Sequence, residues 1–163
     1  MEIWDILDEQ GNFTGKTIVR GETLKEGEYH LVVHIWIVND KGQYLIQRRA
    51  DHLKLMPGMW ATTGGSSIEG EDSKVAALRE TKEELGLTIE PNKIHKLDRV
   101  KRIHNIVDVW VIRENVSLKD IKILEEEVSD VRWVTKAKLK EMIKNGDFHN
   151  YGEEYFKKIF NLV

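Results

Sequence analysis

Residues 30–38, HLVVHIWIV, alternate as a strand does: Leu31, Val33, Ile35 and Ile37 fall on one face, and His30, Val32, His34 and Trp36 on the other. NDKGQ behind them has the composition of a hairpin turn, and YLIQRR at 44–49 returns as the next strand. Upstream, IWDIL and KTIVR flank the turn DEQGN and predict a second strand pair. LMPGMWATTGG at 55–65 is rich in turn residues and reads as a connection. Further strands are expected at 94–102, at 107–113 and in VRWV at 131–134. AKLKEMIKNG and EEYFKKIF change to the helical period and predict two closing helices. This mixture of strands and helices predicts an α/β sandwich formed as a single domain over residues 1–163.

A third helix is expected from Asp72 to Leu85, with Gly86 as its C-terminal cap. Glu80, Glu83 and Glu84 stand at i, i+3 and i+4, which puts three carboxylates on one face. Like charges at that spacing repel, and a cation among them removes the penalty. A hard divalent ion with oxygen ligands, Mg²⁺ or Mn²⁺, is the matching partner. At about 100° per residue, Leu78, Thr81 and Leu85 lie opposite and are expected to hold the helix on the core. Ala76 and Ala77 flank the acidic face, where small side chains leave room for a metal–phosphate cluster. Glu71 falls off that face and is placed near the helix N-terminus, where a carboxylate is favoured. Gly64 and Gly65 permit backbone conformations and close approaches that other residues resist.

The segment GGSSIEGEDSKVAALRETKEELGL, which begins at Gly64, resembles the Nudix box, Gly-x5-Glu-x7-Arg-Glu-U-x-Glu-Glu-x-Gly-U, where U is a bulky aliphatic residue. Gly65, Glu71, Arg79, Glu80, Glu83, Glu84 and Gly86 occupy its fixed positions and Leu87 its second aliphatic one; Thr81 departs at the first. The resemblance implies the Nudix fold, a mixed β-sheet held between helices. It implies a hydrolase in which the positions matching Glu80, Glu83 and Glu84 bind metal or activate water. The position matching Arg79 orients a glutamate by an ion pair, and that matching Gly65 offers its carbonyl oxygen. Metal ions neutralise the diphosphate charge that repels a nucleophile and lower the pKa of bound water. The expected reaction is pyrophosphohydrolysis of a nucleoside diphosphate linked to another moiety, X. Which glutamate acts as base is not fixed by the pattern.

Outside the box, Arg48 and Arg49 end a strand and alternate to opposite faces, so one of them is a candidate for substrate phosphates, where a guanidinium fork fits. Glu125, Glu126 and Glu127 precede a strand, and many Nudix proteins carry a further carboxylate in such a downstream loop. Glu127 is therefore a candidate metal ligand, with Glu126 beside it and a solvated charge run as the alternative. His30 and His34 share a face with Trp36 and read as a partly buried structural pair, with a pocket wall as the alternative.

Composition narrows the field. The chain has no cysteine, which excludes disulfides, thiolate zinc sites and cysteine nucleophiles. A net charge of −3 offers no broad basic face, so a small-molecule substrate is expected and nucleic acid is not. No long apolar run suggests a membrane span or signal peptide, which makes a cytoplasmic protein the expectation. Oligomeric state is left open, a homodimer included. WDILDEQGNFTGKTIVRGE, YHLVVHIWIV, LIQRR and PGMW resemble the Nudix branch related to isopentenyl-diphosphate isomerase, which makes that isomerase the competing reading. It requires a cysteine acid/base, and WATTGG has neither Cys nor His. A non-catalytic nucleotide-sensing Nudix domain is the other alternative; such domains carry degenerate boxes, and this box is intact.

Overall fold

A hairpin of β1 (Ile3–Leu7) and β2 (Phe13–Val19) begins the computed structural model, which describes residues 1–163. β3 (His30–Val38) then becomes the axis of a seven-stranded mixed sheet. Along one edge it pairs in parallel with β8 (Asn105–Arg113) over its full length. Its other edge is shared by β6 (Thr63–Ser66) at residues 32–35 and β4 (Gln43–Arg49) at 37–38, both antiparallel. β5 (Trp60–Ala61) and β9 (Val128–Thr135) pair with β4, and β7 (Ile94–Lys101) closes the far side against β8. Helix α1 (Ser73–Leu85) covers one face, while α2 (Lys136–Asn145) and α3 (Glu153–Phe160) cover the other. This is the expected mixed sheet between helices. No helix is long and apolar enough to cross a membrane.

The alternation of β3 divides the core in two. Val33, Ile35 and Ile37 meet Leu45, Leu85, Trp110 and Ile112 beneath α1. Trp36 and Val38 meet Tyr44, Leu139, Phe156 and Ile159 beneath α2 and α3. The hairpin is held by a smaller cluster of Leu7, Tyr29, Leu31 and Ile106, and by His30, whose ring stacks flat on Trp4 at 4.0 Å.

Helix α1 begins and ends where local chemistry dictates. The Asp72 side chain accepts from the Val75 N–H at 2.8 Å, satisfying a donor that has no partner within the helix. Gly86 ends it at φ 70°, and a Cβ there would press on the backbone of Lys122.

The structure alters four expectations. The segment at 55–65 is not only a connection, since Trp60–Ala61 and Thr63–Ser66 are strands. Their Gly- and Thr-rich sequence carries no alternation, and their strand form comes from pairing with β4 and β3. The second strand begins at Phe13 rather than Lys16. Ala76 and Ala77 are fully buried against Val33 and Ile35, so they do not open space beside the acids. Leu78 only flanks that cluster. The buried stripe of α1 is Ala76, Ala77, Thr81 and Leu85. Thr81 fits a fully buried position because its hydroxyl donates to the Ala77 carbonyl at 2.8 Å.

Leu85→Ala is expected to lower unfolding free energy by about 2–5 kcal/mol as a core truncation. Chemical denaturation reads this directly, and a change well under 1 kcal/mol would contradict the assignment of Leu85 as the anchor of α1.

Candidate active site

Gln47 of β4, Gly64 and Gly65 of β6, the polar face of α1, and Glu127 before β9 enclose a pocket of about 210 Å³. Glu80, Glu83, Glu84 and Glu127 all line it, as does Arg79. One pocket therefore collects Glu80, Glu83 and Glu84 from one face of α1 and Glu127 from a distant loop.

Arg79 is the hub of these acids. Its Nε donates to Glu71 Oε2 at 2.6 Å and its Nη2 to Glu71 Oε1 at 2.9 Å, a two-pronged pair. Its Nη1 donates to Glu80 Oε1 and to Glu83 Oε2, both at 3.1 Å, and its Nη2 reaches the Ser66 carbonyl at 3.1 Å. Glu71 also accepts from the Ile68 N–H at 3.0 Å, so the loop before α1 is tied to the helix through this pair. The hydrogen bonds to Glu71 raise the Arg79 pKa, which keeps its charge permanent.

Glu84 is held by a different chain. The Thr63 hydroxyl donates to Gln47 Oε1 at 2.8 Å, and Gln47 Nε2 then donates to Glu84 Oε2 at 2.7 Å. The Gly64 N–H approaches Glu84 Oε1 at 3.3 Å. Burial pushes the Glu84 carboxyl up to about 8, and the charges of Glu80 and Glu127 add to the rise. Burial likewise pushes Glu80 up to about 7, against the pull of Arg79. Glu83 is half-exposed at the rim. Gly65 lies directly against Glu80, and a Cβ there would collide with its carboxyl group.

In this arrangement no three acidic or histidine side chains converge closely enough to enclose an ion. Arg79 draws Glu80 and Glu83 toward itself, and Gln47 holds Glu84. The donor set still suits a hard divalent cation: carboxylate oxygens, glycine backbone in the pocket wall, and no sulfur. Raised carboxyl pKa values mark a place where positive charge is wanting.

The remaining candidates separate cleanly. Arg49 lines the pocket. Arg48 does not: it donates to Asp51 at 2.8 Å and Ser129 at 3.0 Å, away from the pocket, which removes it from the candidate phosphate ligands. Alternation and a register shift between the two arginines part them. Glu125 and Glu126 are exposed and away from the pocket. Sequence reasoning missed Gln47, and also Glu2 and Arg20 of the N-terminal hairpin, which reach the mouth of the pocket. Nothing local distinguishes these residues; only the folded topology brings them there.

Residues 28–153 match the NUDIX domain family. An uncharacterised Nudix hydrolase of Listeria innocua is 44% identical over 163 residues, covering 99% of this chain and 95% of that protein. An isopentenyl-diphosphate Delta-isomerase of Streptomyces avermitilis is 25% identical over 155 residues, covering 90% of this chain and 78% of that protein. Among solved structures, DR0079 from Deinococcus radiodurans superposes with a TM-score of 0.77 at 22% identity, covering 91% of this chain and 93% of that one. With the acidic face of α1, its arginine hub and the matched family now together, the chain belongs to the Nudix hydrolases, a family that breaks diphosphate bonds and generally needs a divalent metal.

Proposed function

We propose that this protein is a pyrophosphohydrolase, dependent on Mg²⁺ or Mn²⁺, that cuts a nucleoside diphosphate linked to X by attack of water on phosphorus. The observation carrying this reading is the pocket into which Glu80, Glu83, Glu84 and Glu127 all face beside Gly65. Glu80, Glu83, Glu84 and the Gly65 carbonyl would hold the cation, with Glu127 across the pocket. A divalent cation held there supplies charge neutralisation on the diphosphate and a water acidic enough to ionise near neutral pH.

The chain's own groups do the rest. Arg79 restrains Glu80 and Glu83 and offsets their mutual repulsion. Gln47 fixes the Glu84 carboxyl group, the most buried acid in the pocket and a base candidate once a neighbouring cation stabilises its ionised form. Arg49 at the pocket wall offers a guanidinium to substrate phosphate. A cytoplasmic setting and a small-molecule substrate belong to the same reading.

The likeness to an isopentenyl-diphosphate isomerase gives the second reading its weight. Against it, the chain has no cysteine to carry a proton to carbon, and the pocket contains no histidine.

Three outcomes are expected. Nucleotide release from a panel of nucleoside-diphosphate derivatives proceeds with Mg²⁺ or Mn²⁺ and stops in EDTA. Equal rates in EDTA, or silence across the panel with both metals, contradict the reading.

Glu84→Gln is expected to lower turnover by roughly a hundredfold or more while leaving metal-free thermal stability at pH 8 unchanged or higher. The sign follows from a carboxyl raised from 4.5 to about 8 on folding. The folded protein keeps a proton that the unfolded chain releases, so stability is greatest below 4.5 and falls as pH rises toward 8. Melting curves across that range in EDTA should show a slope that Glu84→Gln flattens; a variant with normal rates and an unaltered slope would mark Glu84 as a structural acid.

Isopentenyl diphosphate incubated with the protein and Mg²⁺ should yield no dimethylallyl diphosphate above a no-enzyme control. Chromatographic detection of the allylic isomer would reverse the choice between the two readings.

A further inference from the structure

A second cleft, of about 420 Å³, adjoins the acidic pocket, and Gln47, Arg49, Gly64 and Gly65 form walls of both. The two are opposite in charge. No Asp or Glu lines the second cleft, whereas Arg49, Arg102, His34 and His149 do. Neither guanidinium is paired with a carboxylate. Arg49 Nε donates to the Leu55 carbonyl at 2.9 Å, and Arg102 Nη2 donates to the Tyr151 carbonyl at 2.8 Å. Each keeps further N–H groups for a ligand or water.

His34 adds a donor whose direction is fixed by the core. Trp36 Nε1–H donates to the Tyr155 hydroxyl oxygen at 2.8 Å, and that oxygen also lies 2.8 Å from His34 Nδ1. Indole nitrogen can only donate, so the tyrosine oxygen accepts from it. The single Tyr155 proton then has one acceptor in reach, His34 Nδ1. With the buried Tyr155 proton given to Nδ1, His34 carries its own proton on Nε2, as a neutral imidazole, and lines the cleft. Asn150 contributes in the same sense. Its Oδ1 is taken by the Gly152 N–H at 2.9 Å, which leaves its amide nitrogen as a donor. Donors and positive charge dominate, and they have no internal anion to satisfy them.

We propose that this cleft is an anion subsite in which His34, Arg49 and Arg102 bind a phosphoryl group carried by X, beyond the diphosphate being cut. The inference rests on the hydrolase reading for what occupies the acidic pocket. Guanidinium forks match phosphate oxygens, and His34 adds a directional donor without adding charge. A neutral lipid or an unphosphorylated sugar would leave both guanidinia unmatched. The preferred substrates are accordingly diphosphates whose X group bears a phosphate monoester, held with the scissile diphosphate over the acids and the monoester over the arginines.

The test separates this subsite from the catalytic reading by working without metal. Inorganic phosphate is titrated into ¹⁵N-labelled wild-type protein in EDTA at constant ionic strength, with acetate as the comparison anion. The expected result is saturable phosphate binding that shifts the His34 and Arg102 side-chain signals, an Nε2–H imidazole at His34, and affinity about tenfold or more weaker in Arg102→Ala. Arg102 is exposed, and a melting curve confirms that the variant folds. Tyr155→Phe, which removes the proton held toward His34 Nδ1, should lose the fixed tautomer and part of the affinity. No saturable binding, equal affinity in Arg102→Ala, acetate binding as tight as phosphate, or an Nδ1–H imidazole each overturns the subsite. Metal-dependent hydrolysis measured in parallel stands or falls separately, because the titration needs neither metal nor turnover.

Discussion

The site depends on one guanidinium placed among acids that would otherwise drive each other apart. Glu80 and Glu83 sit within a turn of one another on α1, and Arg79 touches both while gripping Glu71 with two hydrogen bonds. The Glu71 pair is the shortest of these contacts and the two-pronged one, so it is the fixed point from which the others hang. It also determines how the chain enters α1, since Glu71 is bonded to the backbone of the same loop. Folding of the loop and charge placement are thereby a single event. A lysine could not replace this arginine, because a point charge has no fork to hold Glu71 and still reach two other carboxylates.

The remaining strain is left on Glu80 and Glu84, and its location is informative. Glu84 has a polar bonding chain through Gln47 and Thr63 but no cation, and Glu80 has only a share of Arg79. Both carboxyl groups are pushed upward by burial, which is what an acid does when the fold places it without a counter-charge. Stability is given up there in the metal-free protein. An acidic site built for a cation has this signature, whereas a solvated acidic helix face does not.

How much of this was legible in the sequence varied with how local the cause was. β3 and α1 were read close to their boundaries because alternation and a C-capping glycine act within a few residues, while the capping role of Asp72 came from the structure. β5 and β6 were read as a connection, because WATTGGS has no pattern of its own and becomes strand only by pairing. The acidic residues of the box were legible as a set, since their spacing is meaningful on any helix. Gln47 was not, for it is one polar residue on an otherwise apolar strand, and its role appears only when Glu84 is opposite. The two arginines at 48 and 49 were correctly sent to opposite faces, but the sequence did not say which face would be the pocket.

β6 joins the acidic pocket to the basic cleft at Gly64 and Gly65, which line both and carry no side chains. A Cβ at Gly65 would run into the Glu80 carboxyl group, and one at Gly64 would meet the Val33 carbonyl and the His34 ring. Substitution at the first would displace an acid of the pocket; substitution at the second would displace the imidazole held by Tyr155. Each glycine thus protects one side of the same passage, and at these two positions β6 contributes only backbone. A substrate lying across β6 would find carboxylates on one side and guanidinia on the other, separated by a ridge no higher than a peptide. That polarity gives a diphosphate with a charged X group a single favoured direction in the cleft, set by electrostatics before any contact to X itself.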